Sequence, residues 1–107
     1  MRSFSEFWPF YCRAHSRRAT RWLHFAGSVS GPLLAAAAWG ATGSALSLLL
    51  WPVVGYGFAW PAHFLVEKNR PATFGHPFWS LRADYRMVAL MLAGRMDDEV
   101  ARAGAAA

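Results

Sequence analysis

Four histidines are the residues of this 107-residue chain whose chemistry stands out, and they are His15, His24, His63 and His76. Neutral imidazole binds zinc, copper, iron and nickel. The single cysteine, Cys12, excludes a thiolate-rich metal site and an internal disulfide framework. A lone histidine is more often a packing residue than a metal ligand, so a metal site depends on whether the fold brings several of the four together.

Imidazole donors alone leave more than one kind of metal site open. A closed set of four ligands is typical of structural zinc. An octahedral ion with open positions is typical of non-haem iron(II) enzymes, which usually combine two histidines with a carboxylate. Haem fits less well, because two axial histidines normally lie deep in facing helices. We expect iron or zinc, and the residue types by themselves do not choose between them.

Two carboxylates, Glu67 and Asp84, are candidates for the surroundings of such a site. Glu67 follows His63 by four residues, so the two share a face of a continuing helix. We predict that Glu67 orients an imidazole, or acts as a capping or ion-pairing group, in preference to binding the metal. Asp84 is likewise a hydrogen-bond partner for an imidazole N–H, or an ion-pair partner of Arg86.

The distribution of charge indicates the kind of protein that carries these histidines. Lysines and arginines number 11 against 6 aspartates and glutamates, for a formal net charge of +5. Residues 25–66 contain none of these charges, although average soluble composition would place about ten in a segment of that length. The gap excludes an ordinary water-soluble globule and predicts an integral membrane protein.

The uncharged segment predicts a helical hairpin. Residues 23–41 would span about 28 Å as a helix and residues 45–65 about 31 Å, close to the thickness of a bilayer core. Glycine, threonine and serine residues within 40–44 mark the turn between the two arms. In a hairpin the start of the first arm and the end of the second lie at one level, which would bring the four histidines to the same membrane face.

Basic residues flank the outer ends of both arms, while the turn carries no charge. This bias predicts that both termini are cytoplasmic. The membrane that we expect is a bacterial inner membrane. The same residues are explained by orientation and by anionic lipid headgroups, so we expect no nucleic-acid partner. They are Arg17, Arg18 and Arg21 before the first arm and Lys68 and Arg70 after the second.

Amphipathic helices are predicted on both sides of the hairpin. Residues 3–15 place four aromatic side chains on one helical face, which would contact the membrane boundary or the rest of the protein. These side chains are Phe4, Phe7, Trp8 and Tyr11. Residues 79–94 form the other helix, which Ser80 would cap and Gly94 would end. Its predicted packing face consists of Leu81, Tyr85, Val88 and Leu92.

The whole chain, residues 1–107, is predicted to be a single all-α domain: an integral membrane helical hairpin with flanking amphipathic helices. Residues 96–107 would form a flexible tail without a function. Gly27 and Gly31 are spaced so that another helix can approach closely. We therefore predict that the hairpin self-associates into a homo-oligomer, although the sequence does not fix the number of copies.

Four stretches of the sequence are distinctive in combination: HSRRATRWLHFAG at 15–27, GYGFAWPAHF at 55–64, EKNRPATF at 67–74 and PFWSLRADYRM at 77–87. Together they resemble a membrane family whose fungal member is a 2-hydroxy fatty acid dioxygenase of phytosphingosine breakdown. The similarity extends over residues 6–95, so the chain looks like a short bacterial-type member of that family.

The resemblance implies an iron(II)-dependent α-oxidation in the membrane. Dioxygen attacks a 2-hydroxy fatty acid, which loses one carbon as CO2 and leaves a shortened acid. The family's motif histidines, which would form the iron site, match His15, His24, His63 and His76. Basic residues that are otherwise explained as anchors at the membrane boundary would pair with the substrate carboxylate. They are Arg70, Lys68 and Arg21.

Two other functions are compatible with the residues themselves. The histidines could hold structural zinc in a non-catalytic membrane protein, or the hairpin could bind lipid as an adaptor without any metal. Elemental analysis of the purified protein separates the three hypotheses, because they predict iron, zinc and no metal respectively.

Overall fold

The structure is a computed structural model that describes residues 1–106, and the side chains of residues 1–104. Within this range the chain is all-α, as the sequence predicted, and it contains no strand. The helices are α1 (Phe4–Ala14), α2 (Arg18–Thr42), α3 (Leu50–Pro61), α4 (Pro77–Leu92) and α5 (Met96–Ala106). Between them lie 3-10 segments at Ala45–Leu49 and Ala72–Phe74 and a π-helical segment at Ala62–Glu67.

The helical hairpin is formed by α2 and α3, with its turn after Thr42. Gly43 follows α2 in a left-handed conformation (φ 70°), and its N–H donates to the Trp39 carbonyl at 2.8 Å. The Ser44 hydroxyl then accepts the Leu46 N–H at 3.3 Å, which starts the second arm. The turn lies where the sequence placed it, because glycine supplies the positive φ that ends the first helix.

Two glycines allow the arms of the hairpin to touch through their backbones. A Cβ atom at Gly27 would lie 2.9 Å from the carbonyl oxygen of Gly55, and one at Gly31 would lie 2.8 Å from that of Trp51. The predicted close approach of a helix at this pair is therefore confirmed. The approaching helix is α3 of the same chain, so the pair serves the hairpin and offers no free face for the predicted homo-oligomer.

The outer surface of the hairpin is apolar, and Leu33, Leu46, Val53 and Leu65 are among its exposed side chains. The stretch Ala45–Glu67 is 23 residues long and apolar enough to cross a membrane. Among the described residues it is the one helical stretch that meets this test. Of the two predicted membrane spans, only the second arm therefore meets the criterion. The first arm, α2, does not meet it, because it begins with arginines and is rich in small residues.

The remaining helices pack beside the basic end of the hairpin. Helix α1 lies against α4 and α5. Its aromatic face is buried there, with Phe7, Trp8 and Tyr11 in a core that includes Met87 of α4, and with Phe4 at the edge. The sequence left open whether this face contacts the membrane boundary or the protein, and in the structure it contacts the protein.

Helix α4 differs in two details from the prediction. It begins at Pro77, so Ser80 lies inside the helix and does not cap it. The Ser80 side chain is buried, and its hydroxyl lies 3.2 Å from the Thr73 hydroxyl. Leu81 and Leu92, predicted on its packing face, are exposed. The buried face is set by the contacts of α4 with α1 and α2, and periodicity within one helix does not specify those contacts.

The predicted flexible tail is instead helical over Met96–Ala106, while residue 107 lies outside the described residues. Helix α5 packs against α1. Asp97, in its first turn, accepts from Arg21 at 2.5 Å and from Arg18 at 2.8 Å. These ion pairs tie α5 to the start of α2, and acidic residues in a first turn also suit the positive end of the helix dipole.

We expect Gly27→Leu to force α2 away from α3 and to lower the free energy of unfolding by about 1–3 kcal/mol, as overpacking of a tight contact does. Thermal unfolding in detergent, followed by circular dichroism, measures the change. Gly40→Leu is the matched control, because no heavy atom lies within 4 Å of a Cβ at that helical position. Equal Tm values for the two variants would contradict the close packing of the arms.

Candidate metal centre

Three of the four histidines lie together in a buried group. His15, His24 and His63 are 1%, 3% and 2% exposed. One ligand atom from each lies within 4.8 Å of the other two, and the Nε2 atoms of His15 and His24 are 3.1 Å apart. The three rings are nearly perpendicular to one another, at 82° to 88°. The hairpin topology thus brings the end of α1, the start of α2 and the end of the second arm to one point.

Local helix geometry fixes which nitrogen carries the proton in His15 and His24. Nδ1 of His15 lies 2.7 Å from the Tyr11 carbonyl oxygen, and Nδ1 of His24 lies 3.0 Å from that of Thr20. A carbonyl oxygen only accepts, so each Nδ1 donates its N–H. The Tyr11 carbonyl is free for this bond because α1 ends there, with the backbone N–H of His15 bonded to Cys12 instead.

His63 is held by a side chain and not by its own helix. Its Nδ1 lies 2.7 Å from Oδ1 of Asn69, whose Nδ2 donates to the Ala14 carbonyl at 3.0 Å. Because the amide uses its N–H group on Ala14, its oxygen faces the imidazole and accepts the Nδ1–H. Sequence reasoning missed Asn69, and its place in the EKNRPATF stretch was the available signal.

An irregular backbone places His63 and Asn69. Pro61 has no N–H to donate and its ring disfavours the regular helical repeat, so α3 widens into the π-helical segment Ala62–Glu67. Lys68 then adopts a left-handed conformation (φ 60°), and its N–H closes the segment on the His63 carbonyl. This reversal returns Asn69 to the histidine that it binds.

The hydrogen bonds at Nδ1 leave the Nε2 lone pairs to face the centre of the group. Two lone pairs at the 3.1 Å observed between His15 and His24 repel each other unless a cation lies between them. Protonation is a poor remedy, because burial lowers the pKa of His15 well below its usual value and the neighbouring imidazoles lower it further. A bound metal ion removes the repulsion by accepting the lone pairs.

The spacing of His15 and His24 fits two ligands of one first-row transition metal ion. With metal–nitrogen bonds of about 2.1 Å, two ligand nitrogens are about 3.0 Å apart at a right angle and about 3.4 Å apart at the tetrahedral angle. The 3.1 Å between Nε2 of His15 and Nε2 of His24 falls in this interval. An outward hydrogen bond from the other ring nitrogen is also what orients most metal-binding imidazoles. Cys12 is not in the group, because the ligand atoms that lie within 4.8 Å of one another belong to the three histidines alone among the described residues.

His76, the fourth histidine of the predicted site, lies outside this group. It is the N-cap residue of α4. Its ring lies against Phe7 and Trp79, with ring centres 5.5 Å and 5.0 Å away. The topology argument placed His76 at the correct end of the hairpin. The loop before α4 directs its ring into the aromatic packing around α1, which hairpin topology alone does not specify.

Glu67 caps the start of α2. It accepts the Arg17 N–H at 2.5 Å and the Ser16 hydroxyl at 2.9 Å. Of the roles that the sequence left open, the structure supports the capping role, since both carboxylate oxygens are used on these two residues. The bond nevertheless serves the metal centre, because it holds the π-helical segment that carries His63 against the residues that follow His15.

Asp84 reaches the metal centre through a tyrosine. Its Oδ1 accepts from the Tyr11 hydroxyl at 2.5 Å, and the Tyr11 ring stacks on His15 with ring centres 3.9 Å apart. Burial raises the pKa of Asp84 to about 7. The predicted bond from an imidazole N–H to Asp84 is not formed, and Arg86 lies over the Trp8 ring at 4.5 Å instead of forming the predicted ion pair.

Arg21, predicted to pair with a substrate carboxylate, is committed within the protein. It is 4% exposed and donates to the carbonyl oxygens of His15 and Ser16 at 2.8 Å and 2.9 Å. Arg21 therefore stabilises the junction between α1 and α2. Lys68 and Arg70 are exposed on the loop after the π-helical segment.

A cavity of about 250 Å³ lies between α2, α3 and α4, next to one member of the three-histidine group. His24 lines it, and so does Asp84 on the facing helix. Apolar residues of α3 form much of the remaining wall, among them Pro52 and Ala59. A buried group of three nitrogen donors therefore borders a chamber that favours hydrocarbon over water.

We expect Asn69→Ala to weaken metal binding about 10–100-fold, because His63 loses the acceptor that fixes its orientation and protonation state. Competition titration of the metal-free protein with cobalt(II) or zinc against a chelator measures the affinity. Lys68→Gly is the matched control, since glycine accepts the left-handed backbone at that position while the charge is removed. Unchanged affinity in a folded Asn69→Ala protein would show that the amide does not orient His63.

The family comparison agrees with this geometry. The model of the family described as 2-hydroxy-palmitic acid dioxygenase Mpo1-like matches residues 1–96 of the 107-residue chain. The matched region contains α1 to α4, all three clustered histidines and Asn69. No curated protein and no solved structure matches the chain. Because the match covers most of the chain, the protein belongs to the Mpo1-like family.

Proposed function

We propose that this protein is a membrane-bound, iron(II)-dependent dioxygenase that shortens 2-hydroxy fatty acids by one carbon. The observation that carries the proposal is the buried group of three imidazoles beside an apolar cavity, in a chain whose family is named for 2-hydroxy-palmitic acid dioxygenase. The reaction consumes one dioxygen and yields the shortened acid, CO2 and water. Its atoms and electrons balance, so no further reductant is required.

The number of protein ligands favours a catalytic metal over a structural one. Structural zinc is normally enclosed by four protein ligands, whereas catalytic metals keep positions for substrate. His15, His24 and His63 supply three donors. The predicted fourth ligand, His76, and the nearby Glu67 are engaged elsewhere. These commitments support a centre with open positions and disfavour the structural-zinc hypothesis. The metal-free adaptor hypothesis is disfavoured separately, by the close approach of the imidazole nitrogens.

The residues of the chain would act by holding, orienting and excluding water. His15, His24 and His63 would hold iron(II), which when bound supplies the reaction with dioxygen that protein side chains cannot carry out. The outward Nδ1–H bonds keep the three imidazoles in one orientation while substrate and product exchange. The apolar cavity keeps bulk water from the reacting carbon. The Tyr11–Asp84 hydrogen bond holds a proton at the edge of this chamber.

The membrane placement is part of the same proposal. The apolar stretch Ala45–Glu67 would span or enter the bilayer together with α2. The basic residues at the end of the hairpin opposite its turn include Lys68 and Arg70. They would lie at the cytoplasmic boundary of a bacterial inner membrane, with both termini on that side. The substrate carboxylate would then meet the metal centre near the boundary while its tail stays in the apolar layer.

The direct experiment is a turnover assay with the detergent-purified protein. We expect the iron(II)-loaded protein to convert 2-hydroxypalmitate and dioxygen to pentadecanoic acid and CO2, and to form no product without oxygen or after iron removal. His24→Ala should lose bound iron and turnover together. His76→Ala is the matched control, and it should keep bound iron because its ring packs against Phe7 and Trp79. Shortening by the metal-free protein, or iron lost equally from both variants, would contradict the proposal.

A further inference from the structure

The cavity beside the metal centre is elongated along α3. Trp51, Gly55 and Ala59 line it at four-residue intervals, so one face of the helix forms the wall over about 12 Å. Gly27 of α2 faces Gly55 across antiparallel helices, which places His24 nearer the Ala59 end. The cavity therefore runs from the metal centre along the hairpin, in the direction in which an acyl chain would lie.

Hydrogen-bonded residues line the end of the cavity away from His24. Trp51 Nε1 donates to the Tyr85 hydroxyl at 2.7 Å, and this hydroxyl donates to the Ser28 carbonyl at 2.9 Å. The polar atoms at this end thus satisfy one another without a ligand. A molecule that extends this far meets aromatic and aliphatic surface, which suits hydrocarbon and not a polar group.

The volume of the cavity limits how much of a long chain it can take. At about 250 Å³ it is somewhat smaller than the roughly 300–1,000 Å³ of sites that enclose a drug-sized ligand. Pro52 and Tyr56 line both this cavity and an apolar groove on the outer side of α3, where Val53 and Trp60 also lie. The two spaces are neighbours, separated by the side chains that they share.

We propose that the cavity binds the first part of the substrate's acyl chain and that the rest of the chain passes over Pro52 and Tyr56 into the outer groove. This assignment rests on the proposed function, and it identifies the hydrocarbon tail of the substrate as the part that the cavity recognises. Gly55 is the specificity-determining residue. The nearest atom to a Cβ there would be the Gly27 oxygen at 4.0 Å, an ordinary contact distance, and a larger side chain would extend from that Cβ into the cavity that Gly55 lines.

The test uses the full-length protein loaded with zinc, which does not support oxidation, and 2-hydroxypalmitate as the probe. Isothermal titration in detergent measures the affinity, and elemental analysis measures the zinc content. We expect Gly55→Leu to lower the affinity for 2-hydroxypalmitate about tenfold or more with unchanged zinc content. Gly40→Leu, at an open helical position outside the cavity, should bind as the wild type does.

Ala59→Leu is a second variant that places a larger side chain in the cavity, because Ala59 lines the same wall as Gly55. If Gly55→Leu does not fold, we expect the same loss of affinity in Ala59→Leu. Wild-type affinity in a folded, zinc-loaded filling variant overturns the cavity assignment. So does an equal loss of affinity in Gly40→Leu. The binding result does not depend on catalysis. A wild-type protein that binds the probe as expected but fails to shorten it when loaded with iron overturns the proposed function and leaves the cavity assignment standing.

Discussion

The structure of the metal centre depends on three N–H groups that point away from it. Each clustered imidazole donates its Nδ1–H outward, His15 and His24 to backbone carbonyls and His63 to Asn69. These bonds decide that the Nε2 lone pairs face inward, where they repel unless a cation binds them. A cation that accepts these lone pairs would couple its binding free energy to the stability of the folded chain.

The fold serves this arrangement from both ends of the sequence. The Gly27 and Gly31 contacts bring α3 close enough to α2 for the second arm to deliver His63 beside His24. Pro61 then forces the π-helical turn on which His63 sits. Buried aromatic residues of α1 carry His15 into the same place. Positions that look like helix breakers in a membrane hairpin are therefore the ones that build the site.

Much of this could be predicted from the sequence, because the strongest signals are local. The uncharged segment, the glycine-rich turn and the aromatic stripe of α1 follow from composition and periodicity, and the structure forms the corresponding helices. The side-chain partners could not be predicted, because they depend on how distant elements pack. His76 lies at the same end of the hairpin as the other histidines but packs against Phe7. Arg21 donates hydrogen bonds to backbone carbonyls. Asn69 was overlooked since its role requires the left-handed turn at Lys68.

The protonation state of the three imidazoles is the most direct test of the account. Two-bond 1H–15N NMR of the metal-free and zinc-loaded protein in detergent distinguishes the two tautomers and the imidazolium form. We predict that His15, His24 and His63 carry their proton on Nδ1 in both samples. We also predict that zinc shifts the resonances of their Nε2 atoms. His76 should respond little, since its ring packs outside the group. Nε2-protonated rings in the metal-free protein, or zinc-induced shifts centred on Nδ1, would contradict it.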